Sequence, residues 1–176
     1  MGLEMIKSST PSACRGKMWD AVDIIFNQDE KALITFIAEF RGEFRKMGSG
    51  DVAFPRSVNG LDKFKGDSNV RWTKGTPIHV RGSLIYNDEI RKHKLNKVYP
   101  YIQNGEKIKF LYMLEPNDIQ SNIIAFPDEL PEELKLDQYV DYETQYAKSF
   151  VEPLKMITDS IGWKTENVAS LEDFFS

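Results

Sequence analysis

The chain has 176 residues, of which 41% are hydrophobic and 12% aromatic, and its formal net charge is −4. This composition suits a globular body with a sizeable core and excludes a fibrous or wholly disordered chain. No apolar run approaches the length of a membrane span, and a single cysteine, Cys14, excludes an intramolecular disulfide and points to a reducing, cytoplasmic compartment.

The charge is unevenly spread. Residues 1–97 carry 17 Lys and Arg against 12 Asp and Glu, whereas residues 98–176 carry 6 against 15. An acidic total therefore conceals a basic first half, and phosphate attraction is local enough for this to matter.

In chain order, Thr10-Pro11 predicts a helix start, with the threonine hydroxyl as cap and proline in the first turn. The apolar set Met18, Ala21, Val22, Ile25 and Phe26 follows at helical spacing. A second helix opens near Asp29, carries a stripe of Leu33, Phe36, Ile37, Phe40, Phe44 and Met47, and stops at Gly48-Ser49-Gly50; the two predict a helical hairpin. Residues 51–76, rich in Gly, Asn, Asp and Pro, read as a long, partly ordered loop in which basic and aromatic residues adjoin at Lys63-Phe64-Lys65 and Arg71-Trp72. Such a loop either lies against a phosphate backbone or is a solvated insertion.

Beyond Pro77 a mixed helix turns Ile78, Leu84, Ile85 and Ile90 inward and Arg81, Arg91, Lys92, Lys94 and Lys97 outward. "VYPYIQNGEKIKFLYML" predicts a β-hairpin about Asn104-Gly105, and "NIIAFP" a further short strand. "DELPEELKLDQ" reads as a loop or short helix. A long helix then runs from Asp141 to a stop at Gly162, with a kink at Pro153. The fold class expected is α+β, mostly α, with a small β-hairpin element.

Residues that would carry chemistry are sparse. Two histidines, His79 and His93, and one cysteine make no zinc cluster; there is no P-loop, no G-x-G-x-x-G and no G-x-S-x-G elbow. The pairs Asp88-Glu89 and Glu132-Glu133 read as solvated rather than metal-ligating. A binding module fits better than an enzyme, with a small hydrolase built on His79 or His93 as a weaker alternative. At the end of the chain, Leu171, Phe174 and Phe175 form a short apolar face at helical spacing, suited to a hydrophobic groove on another protein or to folding back on its own helices.

Five segments, "MGLEMIKSSTPSACR", "KGTPIHVRGSLIYN", "NGEKIKF", "VDYETQYAKSFVEPL" and "KTENVASLEDFFS", resemble in order and spacing the C-terminal part of the family B replicative DNA polymerases of T-even-like bacteriophages. The resemblance covers essentially the whole chain. It implies a connecting segment from palm to thumb at residues 1–10, a thumb domain at 11–164 that grips primer–template duplex, and a clamp-binding tail at 165–176. It implies that Lys7, Ser8, Ser9 and Thr10 lie along the primer strand. His79, Arg81, Gly82, Tyr86 and Asn87 match a thumb motif, in which Arg81 meets phosphate, Gly82 permits close approach of DNA, and Tyr86 and Asn87 serve equally well in packing. Lys63, Lys65 and Lys74 fall on the loop that faces duplex in that family, and Leu171, Phe174 and Phe175 match its clamp-docking tail, with Glu172 in place of an apolar residue.

The family's palm motifs, of the D-T-D and D-x-x-S-L-Y types, are absent from this sequence. Two-metal phosphoryl transfer needs those carboxylates, so the magnesium ions are expected in the palm of a partner chain and no catalytic residue is expected here. Because the sequence opens at Met1, the resemblance implies the smaller chain of a split polymerase, acting with DNA, a palm-bearing chain and a sliding clamp in an infected bacterial cell; a stand-alone duplex- or clamp-binding accessory protein is the alternative. The apolar residues Leu3, Met5 and Ile6 are expected to join the partner's palm.

Overall fold

A computed structural model describes residues 6–67 and 70–167. About half of these residues are helical, and three short strands form one antiparallel sheet, so the class is α+β. Among the described residues no helix is long and apolar enough to cross a membrane.

Helix α1 (Ser12–Asn27) and helix α2 (Glu30–Phe44) pack against each other as the periodicity predicts. Asp29 caps α2, its carboxylate accepting the Ala32 N–H at 2.8 Å. The start of α1 differs from expectation. Pro11 occupies the cap position without a side-chain bond, and the Thr10 hydroxyl instead accepts the Lys7 N–H at 2.9 Å. Pro11 itself is extended, with ψ 147°, so the helix begins one residue later and Thr10 stands outside the cap position. Cys14, Met18, Ala21 and Val22 are buried, but Phe26 is 74% exposed, because its position lies about 100° round the helix from the centre of the stripe. Helix α2 ends at Phe44, ahead of the glycines; Gly48 begins the short helix α3 (Ser49–Val52).

Residues 51–76 hold more structure than a loop. Strand β1 (Phe54–Ser57) and helix α4 (Leu61–Phe64) lie within them, and Lys65 and Trp72 bridge across the segment that follows. Helix α5 (Ile78–Lys92) follows. Strand β2 (Lys107–Tyr112) is central in the sheet, pairing with β1 through Phe54 opposite Phe110 and with β3 (Ile123–Phe126) through Phe110 opposite Ala125.

The expected hairpin about Asn104-Gly105 does not form, although the turn does, with Gly105 at φ 88°. The Gly105 N–H donates to the Val58 carbonyl at 2.8 Å, so the strand before β2 in the sheet is β1, some fifty residues earlier. Residues 98–103 are unavailable as a strand. Pro100 lacks a donor, and both backbone groups of Ile102 are bound by the Asn87 side chain, at 2.7 and 2.9 Å.

Helix α5 covers one face of the sheet. Where the β1–β2 ladder ends, the buried Gln145 accepts the Tyr112 N–H at 3.1 Å and donates to the Val52 carbonyl at 2.7 Å. Gln145 belongs to helix α6 (Tyr142–Tyr146), which continues through a π-helical turn (Ala147–Val151) into helix α7 (Glu152–Ile161). The expected kink at Pro153 takes this form because the ring has no N–H and crowds the carbonyl one turn back, which a widened turn relieves. Tyr146 and Phe150 reach into the α1–α2 pair, where Phe40 meets Phe150 edge-on at 4.8 Å and the Tyr146 hydroxyl donates to the Ile37 carbonyl at 2.6 Å. Gly162, at φ 75°, ends α7 as expected. Ile6 is half-buried and packs against the core; Leu3 and Met5 lie outside the described residues.

Candidate nucleic-acid interface

The segment before α1 is a tight turn. The Thr10 N–H donates to the Lys7 carbonyl at 3.0 Å, and Arg15 reaches back from α1 to donate to the Thr10 and Ser8 carbonyls, each at 3.2 Å. Arginine thus gathers the carbonyl oxygens, leaving the side chains of Lys7 and Ser8 exposed, Ser9 half-buried and Thr10 buried. An ammonium and hydroxyls on a braced turn suit phosphate oxygens.

Lys63 and Lys74 are exposed, and the Lys63 ammonium lies 5.1 Å from the Phe64 ring. Between them, Arg71 donates to Glu89 at 2.7 Å, to Asp88 at 3.1 Å and to the Ile119 carbonyl at 2.6 Å. Glu89 is therefore not a solvated residue as its sequence context suggested. Its side chain is 3% exposed and also faces His93, at 3.3 Å. A buried carboxylate persists only when paired in this way.

Helix α5 carries His79, Arg81, Gly82, Tyr86 and Asn87, and it uses them on two different faces. His79 is half-buried beside Phe110, its pKa held below the ordinary histidine value first by burial and then by the nearby Arg56 charge. Its imidazole is thus a neutral hydrogen-bonding group at neutral pH. Arg81 is half-buried, with its guanidinium 5.6 Å from the Trp72 ring and one amine donating to the Asn122 side chain at 2.7 Å.

Gly82, Tyr86 and Asn87 turn inward. A side chain on Gly82 would meet the Ala125 backbone nitrogen at 2.9 Å, so its bareness is required by the packing of α5 on β3. Tyr86 is fully buried, its hydroxyl donates to the Pro100 carbonyl at 3.3 Å, and burial pushes its pKa up to about 12. Asn87 makes the two bonds to Ile102 already described. Arg56, Asn122 and the Arg71–Glu89 pair were missed at the sequence level; the adjacent Arg71-Trp72 was the one available signal, since a basic–aromatic dipeptide in a glycine-rich stretch stood out.

Among the described residues no three His, Cys, Asp or Glu side chains gather as a metal site. Among the described residues the His79 ring lies by Phe110 and His93 by Glu89, and no serine hydroxyl is bonded to either imidazole. Leu171, Phe174 and Phe175 lie outside the described residues.

No protein-family model matches the chain. Along 99% of its length, however, it aligns with DNA-directed DNA polymerases, spanning only 19% of the length of those relatives. It is thus related throughout to one segment of the T4-like phage DNA polymerases: it is 30% identical over 181 aligned positions to the enzyme of Enterobacteria phage T4 and 33% identical over 181 positions to that of Escherichia phage RB69.

Proposed function

We propose that this chain is the thumb portion of a family B phage DNA polymerase, which grips primer–template duplex through its phosphate backbone and docks on a sliding clamp through Leu171, Phe174 and Phe175. The observation that carries the reading is the alignment of nearly the whole chain with one fifth of two phage polymerases. Exposed Lys7, Ser8, Lys63 and Lys74 and the half-buried Arg81 support it, since these groups suit phosphate oxygens, which carry no base identity. A polymerase that copies any template needs that indifference. Nucleotide addition, with its magnesium ions, belongs to palm carboxylates on other polypeptide, whether separately encoded or contiguous with this segment.

Primer extension tests the reading. The chain alone is expected to add no nucleotide, whereas mixing it with a palm-bearing polypeptide from the same source is expected to restore extension or lengthen products. Extension that is indifferent to the added chain would contradict a thumb role.

A further inference from the structure

Arg71 and Trp72 are neighbours in sequence but serve opposite ends of α5. Arg71 is fixed near the C-terminal end by the buried Glu89 carboxylate and by Asp88. Arg71 is the nearest cation to this 3% exposed carboxylate, whose other oxygen faces His93 at 3.3 Å and Lys92 at 3.7 Å, so release of this strap would take from a buried charge its closest partner. One residue on, the Trp72 ring meets the Arg81 guanidinium, two turns nearer the helix start. Asn122, from the chain entering β3, takes one amine of the same guanidinium at 2.7 Å.

The guanidinium is therefore held between the Trp72 ring and the Asn122 side chain, while its Nε, buried, has no hydrogen-bond partner among the described residues. An arginine side chain otherwise gives up much rotamer freedom when it meets an anion, and a prior constraint lowers that cost. We propose that Arg71 and Trp72 are positioning residues that hold Arg81 ready for a backbone phosphate of the duplex, an inference that rests on the duplex-gripping reading above.

Tryptophan fluorescence and duplex affinity test it together. In a protein carrying Trp19→Phe and Trp163→Phe, Trp72 is the one remaining indole. The double variant Arg71→Gln, Glu89→Gln removes the strap without stranding a charge, and is expected to stay folded by circular dichroism while Trp72 becomes more accessible to acrylamide. In the chain with native Trp19 and Trp163, both that pair of substitutions and Trp72→Ala are expected to weaken duplex binding roughly five- to tenfold, and to reduce the salt slope by about one, as loss of one phosphate contact requires. Trp72→Phe, which keeps an aromatic face, is expected to retain most of the affinity. Unchanged acrylamide access in the strap variant, or wild-type affinity and slope in Trp72→Ala, would overturn the proposal. A parent chain that binds no duplex at any salt would overturn the gripping reading and Arg81's phosphate role with it, while the acrylamide result would still decide whether Arg71 holds Trp72 in place.

Discussion

Gly82 and Ala125 fix how closely α5 lies on the sheet: a Cβ on the glycine would sit 2.9 Å from the Ala125 backbone nitrogen and 3.2 Å from its methyl group. The nearest obstacle is backbone, which no rotamer change relieves. Gly82→Ala is expected to destabilise the fold by about 1–3 kcal/mol, read as a lower urea midpoint. Adding Ala125→Gly removes only the methyl contact and is expected to restore little; full restoration would show that the methyl group, not the strand backbone, sets the distance.

The Cys14 thiol is buried, donates to the Ser149 hydroxyl at 3.4 Å, and is pushed by burial up to about 11. Thiolate is the reactive form, so the native protein at about pH 8 is expected to resist a thiol reagent that labels it fully in denaturant. Rapid native labelling would mean that α1 separates readily from the π-helical turn bearing Ser149.

His79 gives the stability a pH dependence of known sign. Its folded pKa lies below the unfolded value of 6.5, so protonation favours the unfolded chain. The stability it contributes is present above the unfolded pKa and declines as pH falls toward the folded pKa. Thermal melting from about pH 7.5 to about pH 5.5 is expected to cost wild type more than His79→Gln. An equal loss in both proteins would place the acid sensitivity elsewhere.

If the proposed function holds, clamp docking rests on the tail and is expected to be lost without loss of the fold. Each phenylalanine in a groove contributes roughly 1.5–3 kcal/mol, so ending the chain at Asp173 is expected to abolish a micromolar interaction with the clamp, read by calorimetry. Duplex binding is expected to persist. Undiminished clamp affinity would move the docking site away from Phe174 and Phe175.

The helices were legible because their signals are local. Asp29 caps α2, the stripe of Leu33, Ile37, Phe40 and Phe44 goes to the core, and Gly162 ends α7. Pairings across distance were not. The Asn104-Gly105 turn was visible, but nothing nearby indicates that Asn87 claims the backbone of Ile102 and that β1 becomes the partner of β2. Much the same holds for the interface. Lysines of the 51–76 stretch could be named from composition, whereas Glu89 reads as an ordinary exposed acid until Arg71 is brought to it from eighteen residues away. Gly82 could be singled out in the sequence, but not the close β3 backbone beneath it, which leaves no room for a Cβ.

The first measurement is the affinity of the chain for duplex DNA of two unrelated sequences, by fluorescence anisotropy across a range of salt concentrations. Equal affinities for the two sequences are expected, with the logarithm of the binding constant falling linearly with the logarithm of salt, and with a shallower slope for Arg81→Gln. Absence of binding at low salt, or binding that prefers one sequence and ignores salt, would contradict a backbone-gripping thumb.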